Sequence, residues 1–228
     1  MPSWTYNEFK HIGVDFDDPD QVSMYEARQK TNIVGERELV ARLGIRRNHS
    51  VLEYGPGTGA FAIAAGEVGA RVIAIDISQA MLVFATRKAK DAGLDSVEFR
   101  RGGYLSQEQP SGGFDYVVTK FTIHHLPDFW KVEALRRIRD CLAPNGTLYI
   151  QDVVFSFDPN VYDLEIEAWI EGATKGGSFS RSDFEMHVRD EFSTYGVLME
   201  RILHLAGFKI ETANYYSKVQ AEYICRRD

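Results

Sequence analysis

The chain has 228 residues and a formal net charge of −7, with 44% hydrophobic and 26% charged residues. That balance excludes a disordered or fibrous chain. The acidic sign argues against nucleic acid as a partner, because phosphate binding needs a concentrated Lys/Arg surface. Residues 1–30 are polar and aromatic, with acids at Asp15, Asp17, Asp18 and Asp20. A helical pattern follows from about Asn32 to Leu43, and Gly44 stands where a helix C′ residue belongs. VLEYG (51–55) is a short apolar run that meets a glycine-rich turn, and Thr58 opens a helix closed by Gly69. RVIAID (71–76) predicts a second strand, and Ser78 predicts an N-cap for the next helix, which Gly93 ends. VEFRR (97–101) and FDYVVTKF (114–121) predict the third and fourth strands. Asp128 caps a further helix, Pro144-Asn145-Gly146 reads as a turn, and TLYIQDVVF (147–155) predicts the fifth strand.

Strands alternating with helices at this pace predict βαβ units and a mostly parallel sheet covered on both faces. Residues 156–194 break the alternation and are rich in aromatics and glycine; residues 158–171 hold five acids and no Lys or Arg. A final helix (about 195–206) and two strands (209–216 and 221–226) close the chain, with Ser217-Lys218 between them compatible with a hairpin. Cys141 and Cys225 have no CxxC or Cys/His spacing, so neither a disulfide framework nor a metal site is expected. The first twenty residues lack an apolar core, and no run approaches the ~18 apolar residues of a membrane span. A cytoplasmic, membrane-free protein, monomeric or homodimeric, is the expectation.

The glycine turn carries the chemistry. Gly55, Gly57 and Gly59 lie between a strand and a helix, where glycine lets the backbone turn tightly and approach a ligand. The helix N-terminus behind it offers unpaired N–H groups. In an open α/β sheet the ligand crevice lies beyond the carboxyl ends of the strands, the edge this turn occupies. Two cofactor classes fit. Gly55, Gly57 and Ala60 satisfy a dinucleotide GxGxxG/A pattern, with Asp76 about 20 residues on. In either class Asp76, at the end of the second strand, can accept hydrogen bonds from ribose hydroxyls.

Four motifs in order separate the two. Glu53, Gly55, Gly57 and Gly59 form an ExGxGxG that resembles the first motif of class I S-adenosylmethionine-dependent methyltransferases, and Asp76 matches the acid of their second. FDYVVTKFTIHHLPD (114–128) and LRRIRDCLAPNGTLYIQD (135–152) resemble the motifs around their fourth and fifth strands. The resemblance covers roughly residues 50–155 and the closing strand pair. It implies a doubly wound, Rossmann-like α/β fold with a seven-stranded, mostly parallel sheet, an antiparallel closing strand and a helical cap or lid. One domain over 1–228 is expected: an N-terminal cap (1–46), a cofactor-binding core (47–155), a lid insertion (156–194) and closing elements (195–228). S-adenosylmethionine is the implied cofactor and S-adenosylhomocysteine its product. Nicotinamide-dependent oxidoreduction and non-catalytic S-adenosylmethionine binding are the alternatives.

The resemblance also implies roles. Gly55, Pro56, Gly57 and Gly59 would pass under the methionine part of the cofactor, and Glu53 would orient that loop or meet the amino group. Asp76 would hold the ribose, with Ile77 and Met81 against adenine. The family often has an acid after the third strand; here Gly102-Gly103-Tyr104 stands instead, which shifts adenine recognition to Gly103 and Tyr104. Lys120 stands at the carboxyl end of the fourth strand, where contacts to the cofactor carboxylate fall. If the acceptor needs a base, His124 and His125 are the candidates, since imidazole titrates near neutrality. Tyr25 is a candidate contact from the N-terminal segment. His187 and Arg189 could bind an anionic substrate, but read mainly as a solvated lid face. The expected partner is a small-molecule acceptor.

Overall fold

The computed structural model describes residues 3–10, 22, 33–106, 113–175 and 180–227. Tyr25 lies outside the described residues. Eight strands form one sheet: β1 (Ser50–Tyr54), β2 (Arg71–Asp76), β3 (Val97–Arg101), β4 (Phe114–Lys120), β5 (Leu142–Phe155), β6 (Thr194–Tyr195), β7 (Phe208–Ser217) and β8 (Gln220–Arg227). Their order is β3-β2-β1-β4-β5-β8-β7, with β6 paired to β5 off this path. β1 to β5 run parallel, and β8 is antiparallel to both β5 and β7. The helices are α1 (Ile33–Arg42), α2 (Ala60–Glu67), α3 (Gln79–Asp91), α4 (Asp128–Cys141), α5 (Tyr162–Lys175), α6 (Arg181–Asp190) and α7 (Gly196–Leu205).

The apolar runs of the central strands feed two cores, because successive strand side chains point to opposite faces. Val51, Val72, Ala74, Val118 and Tyr149 pack on one face with Leu39 and Val40 of α1 and Phe61, Ala62 and Ala65 of α2. Leu52, Ile75, Val117, Leu148 and Ile150 pack on the other with Leu135 and Ile138 of α4 and Met199 and Leu203 of α7. Ser78 caps α3 as expected, its Oγ accepting the Met81 N–H at 3.0 Å.

The structure differs from the sequence reading in four places. Asp128 is the first residue of α4 rather than its cap, and Pro127 is the N-cap. The Pro144-Asn145-Gly146 segment is absorbed into β5 as an irregularity, because the register runs from Phe114↔Leu142 directly to Tyr116↔Thr147. β6 is an eighth strand of two residues, too short to show a period of its own. The second helix starts after Gly59, whose φ of 81° makes it the N-cap without a side-chain bond; Thr58 is not the cap. Among the described residues no helix is long and apolar enough to cross a membrane.

Candidate cofactor and acceptor site

The glycine turn closes over the carboxyl ends of β1 and β4. Gly55 has φ 67°, and a Cβ there would stand 2.1 Å from Thr122 Cγ2. Only glycine relieves both the left-handed backbone and the contact. Gly59 is similarly confined, with Ala85 Cβ 2.9 Å from the Cβ it lacks. The turn is tied down by Gly55 N–H donating to the Ile75 carbonyl (2.8 Å) and Gly59 N–H to the Pro56 carbonyl (2.8 Å). Asp76 joins it to the next loop: its carboxylate accepts from the Gly57 N–H at 3.2 Å and from the Ser78 N–H at 2.9 Å. Met81 lies on the buried face of α3, and the Ile77 carbonyl accepts from Arg101 Nε at 3.3 Å.

Glu53 lies beneath the turn, 2% exposed. Its Oε2 has no hydrogen-bond partner among the described residues. Burial raises its pKa to about 8, against the pull of Lys120. Lys120 itself donates to Glu36 of α1, so the ammonium expected near the cofactor carboxylate is held by an acid from the N-terminal cap.

The loop after β3 departs from the expectation for Tyr104. Its hydroxyl points to Thr122 (2.6 Å) and Thr119, and its ring stacks on Tyr54 with centroids 4.6 Å apart. That commits the phenol to the interior, and the Gly102 and Gly103 N–H groups are also taken, by the Asp76 carbonyl (2.9 Å) and Ser106 Oγ (3.1 Å). Glu8 from the N-terminal segment covers the loop, accepting from the Leu105 and Ser106 N–H groups at 3.0 and 2.6 Å. A Cβ on Gly103 would stand 2.4 Å from the Glu8 carboxylate, so a larger residue there would displace Glu8.

Beyond β4 the chain turns sharply. Phe121 has φ 53° and is 38% exposed, an uncommon conformation for an aromatic residue and one that costs roughly 1–2 kcal/mol. The single turn Ile123–His125 then places two imidazoles side by side, with ring centroids 4.3 Å apart. His124 is buried, with Nδ1 on Asp152 of β5 and Nε2 3.2 Å from Glu191 Oε2. Burial works against charge on this ring, yet Asp152 and Glu191 outweigh it and raise its pKa to about 9. Both nitrogens are thus committed. His125 is the opposite case: burial, then the charge on His124, lower its pKa to about 4, so its imidazole is neutral near pH 7. Tyr6 donates its hydroxyl to the His125 carbonyl at 3.2 Å.

The lid brings aromatic walls. Phe155, Phe157, Trp169 and Tyr195 form a connected cluster with centroid spacings of 5.2–6.3 Å. The acids of α5 face solvent, where Glu167 pairs with Arg181. Arg189 is exposed and paired with Asp190. His187 is turned inward, 13% exposed, and bonded to Glu191, which corrects the reading of it as a solvated lid residue. Asp152 and Glu191 were not singled out as site residues from the sequence. A lone acid inside the apolar run of β5, and a His and Glu four apart on α6, were the available signals. Two open surface concavities, one lined by Pro144, Glu211 and Arg226 and the other by His49, Asp115 and Tyr116, lie at the opposite, amino-terminal edge of the strands.

The strand order, with the glycine turn at its switch point and Asp76 at the end of β2, defines a Rossmann-like α/β fold whose ligand edge is the carboxyl end of the strands. A family model described as a methyltransferase domain matches residues 51–146. Demethylmenaquinone methyltransferase of Listeria welshimeri is 28% identical over 156 residues, covering 67% of this chain and 62% of that protein. The match therefore spans a little under two thirds of the curated relative. Among solved structures, a SAM-dependent methyltransferase from Aquifex aeolicus has a TM-score of 0.67 at 16% identity, covering 92% of this chain and 99% of that one. Magnesium protoporphyrin IX methyltransferase from Synechocystis with bound S-adenosylhomocysteine has a TM-score of 0.63 at 17% identity, covering 90% and 86%. These likenesses show the shared fold. The residues at the glycine turn suit S-adenosylmethionine, the cofactor the sequence resemblance implies. Glu53 Oε2, buried without a hydrogen-bond partner among the described residues, suits an ammonium group.

Proposed function

We propose that this chain transfers a methyl group from S-adenosylmethionine to a small-molecule acceptor held between the carboxyl ends of β4 and β5 and the lid. The observation that carries the reading is the glycine turn with a buried Glu53 carboxylate, its Oε2 without a hydrogen-bond partner among the described residues, on one side and Asp76 on the other. When bound, the cofactor supplies a methyl group on a sulfonium, and the protein's task is orientation and exclusion of water. Glu53 receives the ammonium group, Asp76 receives the ribose hydroxyls, and the 55–59 backbone lies under the methionine part. The Phe155–Phe157–Trp169–Tyr195 cluster supplies aromatic faces, which favour a cationic donor in a dry site. His125 is neutral near pH 7 while both nitrogens of His124 are held, so it is the imidazole able to accept a hydrogen bond from a hydroxyl or amine acceptor and orient it. A small, apolar or aromatic acceptor agrees with the relatives' names and with this lining.

The test is release of S-adenosylhomocysteine across a panel of phenols, quinols, amines and thiols, with a demethylated quinone among them. Acceptor-dependent release that His125→Ala cuts by about 10²-fold or more supports the reading. Binding of S-adenosylhomocysteine without turnover on any acceptor would reduce the chain to a cofactor-binding module. Binding of NAD in its place would overturn the reading.

A further inference from the structure

We infer that His124, His187 and Glu191 form a binding site for a divalent transition metal ion that fastens the lid to the turn after β4. The three residues offer His124 Nε2, a His187 nitrogen and a Glu191 oxygen, all within 4.8 Å of one another. Two come from α6 and its end, four residues apart and so on one helix face. The third comes from the turn Ile123–His125, and the backbone joins the two segments through Phe192 N–H to the His124 carbonyl at 2.8 Å. Glu191 Oε2 lies buried between the two rings, facing His124 Nε2 at 3.2 Å and His187 Nδ1.

The outer contacts are those a metal site needs. A metal-bound imidazole ordinarily has its second nitrogen held by a carboxylate or other oxygen, which fixes ring orientation and tautomer. Here Asp152 holds His124 Nδ1 and in turn accepts the Ile123 N–H at 2.9 Å. Ser193 Oγ lies 2.8 Å from His187 Nε2, which leaves Nδ1 facing Glu191. Trp169 sets its ring edge-on against His187, 5.4 Å between centroids, and shields that side. Two imidazoles and a carboxylate suit a borderline ion such as zinc. Ligands bonded at about 2.0–2.1 Å stand roughly 3.3 Å apart, so rotations of the side chains by about an ångström close the set. Binding of the ion displaces the proton on His124, and the divalent charge then offsets the carboxylates of Asp152 and Glu191. Three protein ligands leave a coordination position for water or another small oxygen donor.

The experiment uses the full chain, stripped with a chelator and then titrated with zinc chloride by calorimetry, and with cobalt chloride followed by visible absorption. One equivalent of zinc, an intense cobalt spectrum of low coordination number and a raised Tm are expected. His187→Ala and Glu191→Gln should each remove the cobalt spectrum and weaken zinc binding by at least 10²-fold. Asp152→Asn, acting through His124, should weaken it about 10–100-fold. Exposed His204, changed to Ala, should leave binding intact. Glu191→Gln keeps the shape of the cluster, and circular dichroism checks folding of each variant. Failure of the wild-type chain to bind zinc or cobalt would overturn the proposal. So would binding that survives both His187→Ala and Glu191→Gln in folded protein.

Discussion

Replacing Asp76 by Ala removes the carboxylate that joins the glycine turn to the start of α3. Two effects follow, and the structure separates them. Toward the cofactor, the loss is that of hydrogen bonds between ribose hydroxyls and a charged acceptor, about 1–3 kcal/mol. This corresponds to roughly 5- to 160-fold in the dissociation constant for S-adenosylhomocysteine. Toward the fold, the Gly57 and Ser78 N–H groups lose their acceptor, a contribution on the scale of a lost helix cap, ~1 kcal/mol. Asp76→Asn keeps one acceptor oxygen, enough for one of the two N–H groups, so it should recover about half of the stability and only part of the affinity. Calorimetric titration of S-adenosylhomocysteine, paired with thermal melts, measures both. A dissociation constant within twofold of the native one in folded Asp76→Ala would show that the ribose does not rest on this residue.

Gly55→Ala forces a Cβ to within 2.1 Å of Thr122 in a left-handed backbone and should destabilise the protein by about 2–4 kcal/mol. Gly93→Ala, at φ 69° with nothing within 4 Å, should cost only ~1 kcal/mol, and urea melts of the pair check the contrast. Glu53 has its pKa raised to about 8 by burial and is largely protonated at pH 7. An ammonium group beside it draws the proton off, so affinity for S-adenosylhomocysteine should rise from pH 6 to 8 with proton release, and Glu53→Gln should abolish that release in calorimetry across buffers. Glu222 accepts from Arg42 (2.7 and 2.6 Å), Tyr149 (2.8 Å) and Asn214 (2.9 Å). Burial opposes its charge, but these bonds lower its pKa to about 2. A lowered folded-state pKa stabilises above the ordinary carboxylate range, so this contribution is present above about pH 4.5 and is lost as pH falls toward 2. It amounts to roughly 2 kcal/mol after allowing for the half-exposed Arg42, and Glu222→Gln should flatten the acid limb of the stability curve.

Much of this molecule is written locally. The apolar runs at 51–54, 71–76 and 114–120 alternate with helices at a pace that admits little but a parallel sheet. The glycines at 55, 57 and 59 and the acid at 76 mark the ligand edge because their spacing is a property of one βα turn. What escaped has a different physical origin. The pairing of His124 with Asp152 and Glu191 joins residues 28 and 67 positions apart, and no periodicity encodes it. The inward turn of His187 depends on where α6 docks, and the charged pattern of that helix alone suggests solvent. The left-handed Phe121 is set by its bond to the Gln151 carbonyl (2.7 Å) and by the turn beyond it. Tyr104, placed by its neighbours near a ligand, is instead drawn inward by the hydroxyls of Thr119 and Thr122.

A crystal structure with S-adenosylhomocysteine tests the central claim most directly. The account predicts the amino group beside the Glu53 carboxylate, the ribose hydroxyls on Asp76, and the sulfur facing the space between His125 and the Phe155–Tyr195 cluster. A ligand seated in the concavities at the amino-terminal edge of the strands, or one lying on the glycine turn without touching either acid, would contradict it.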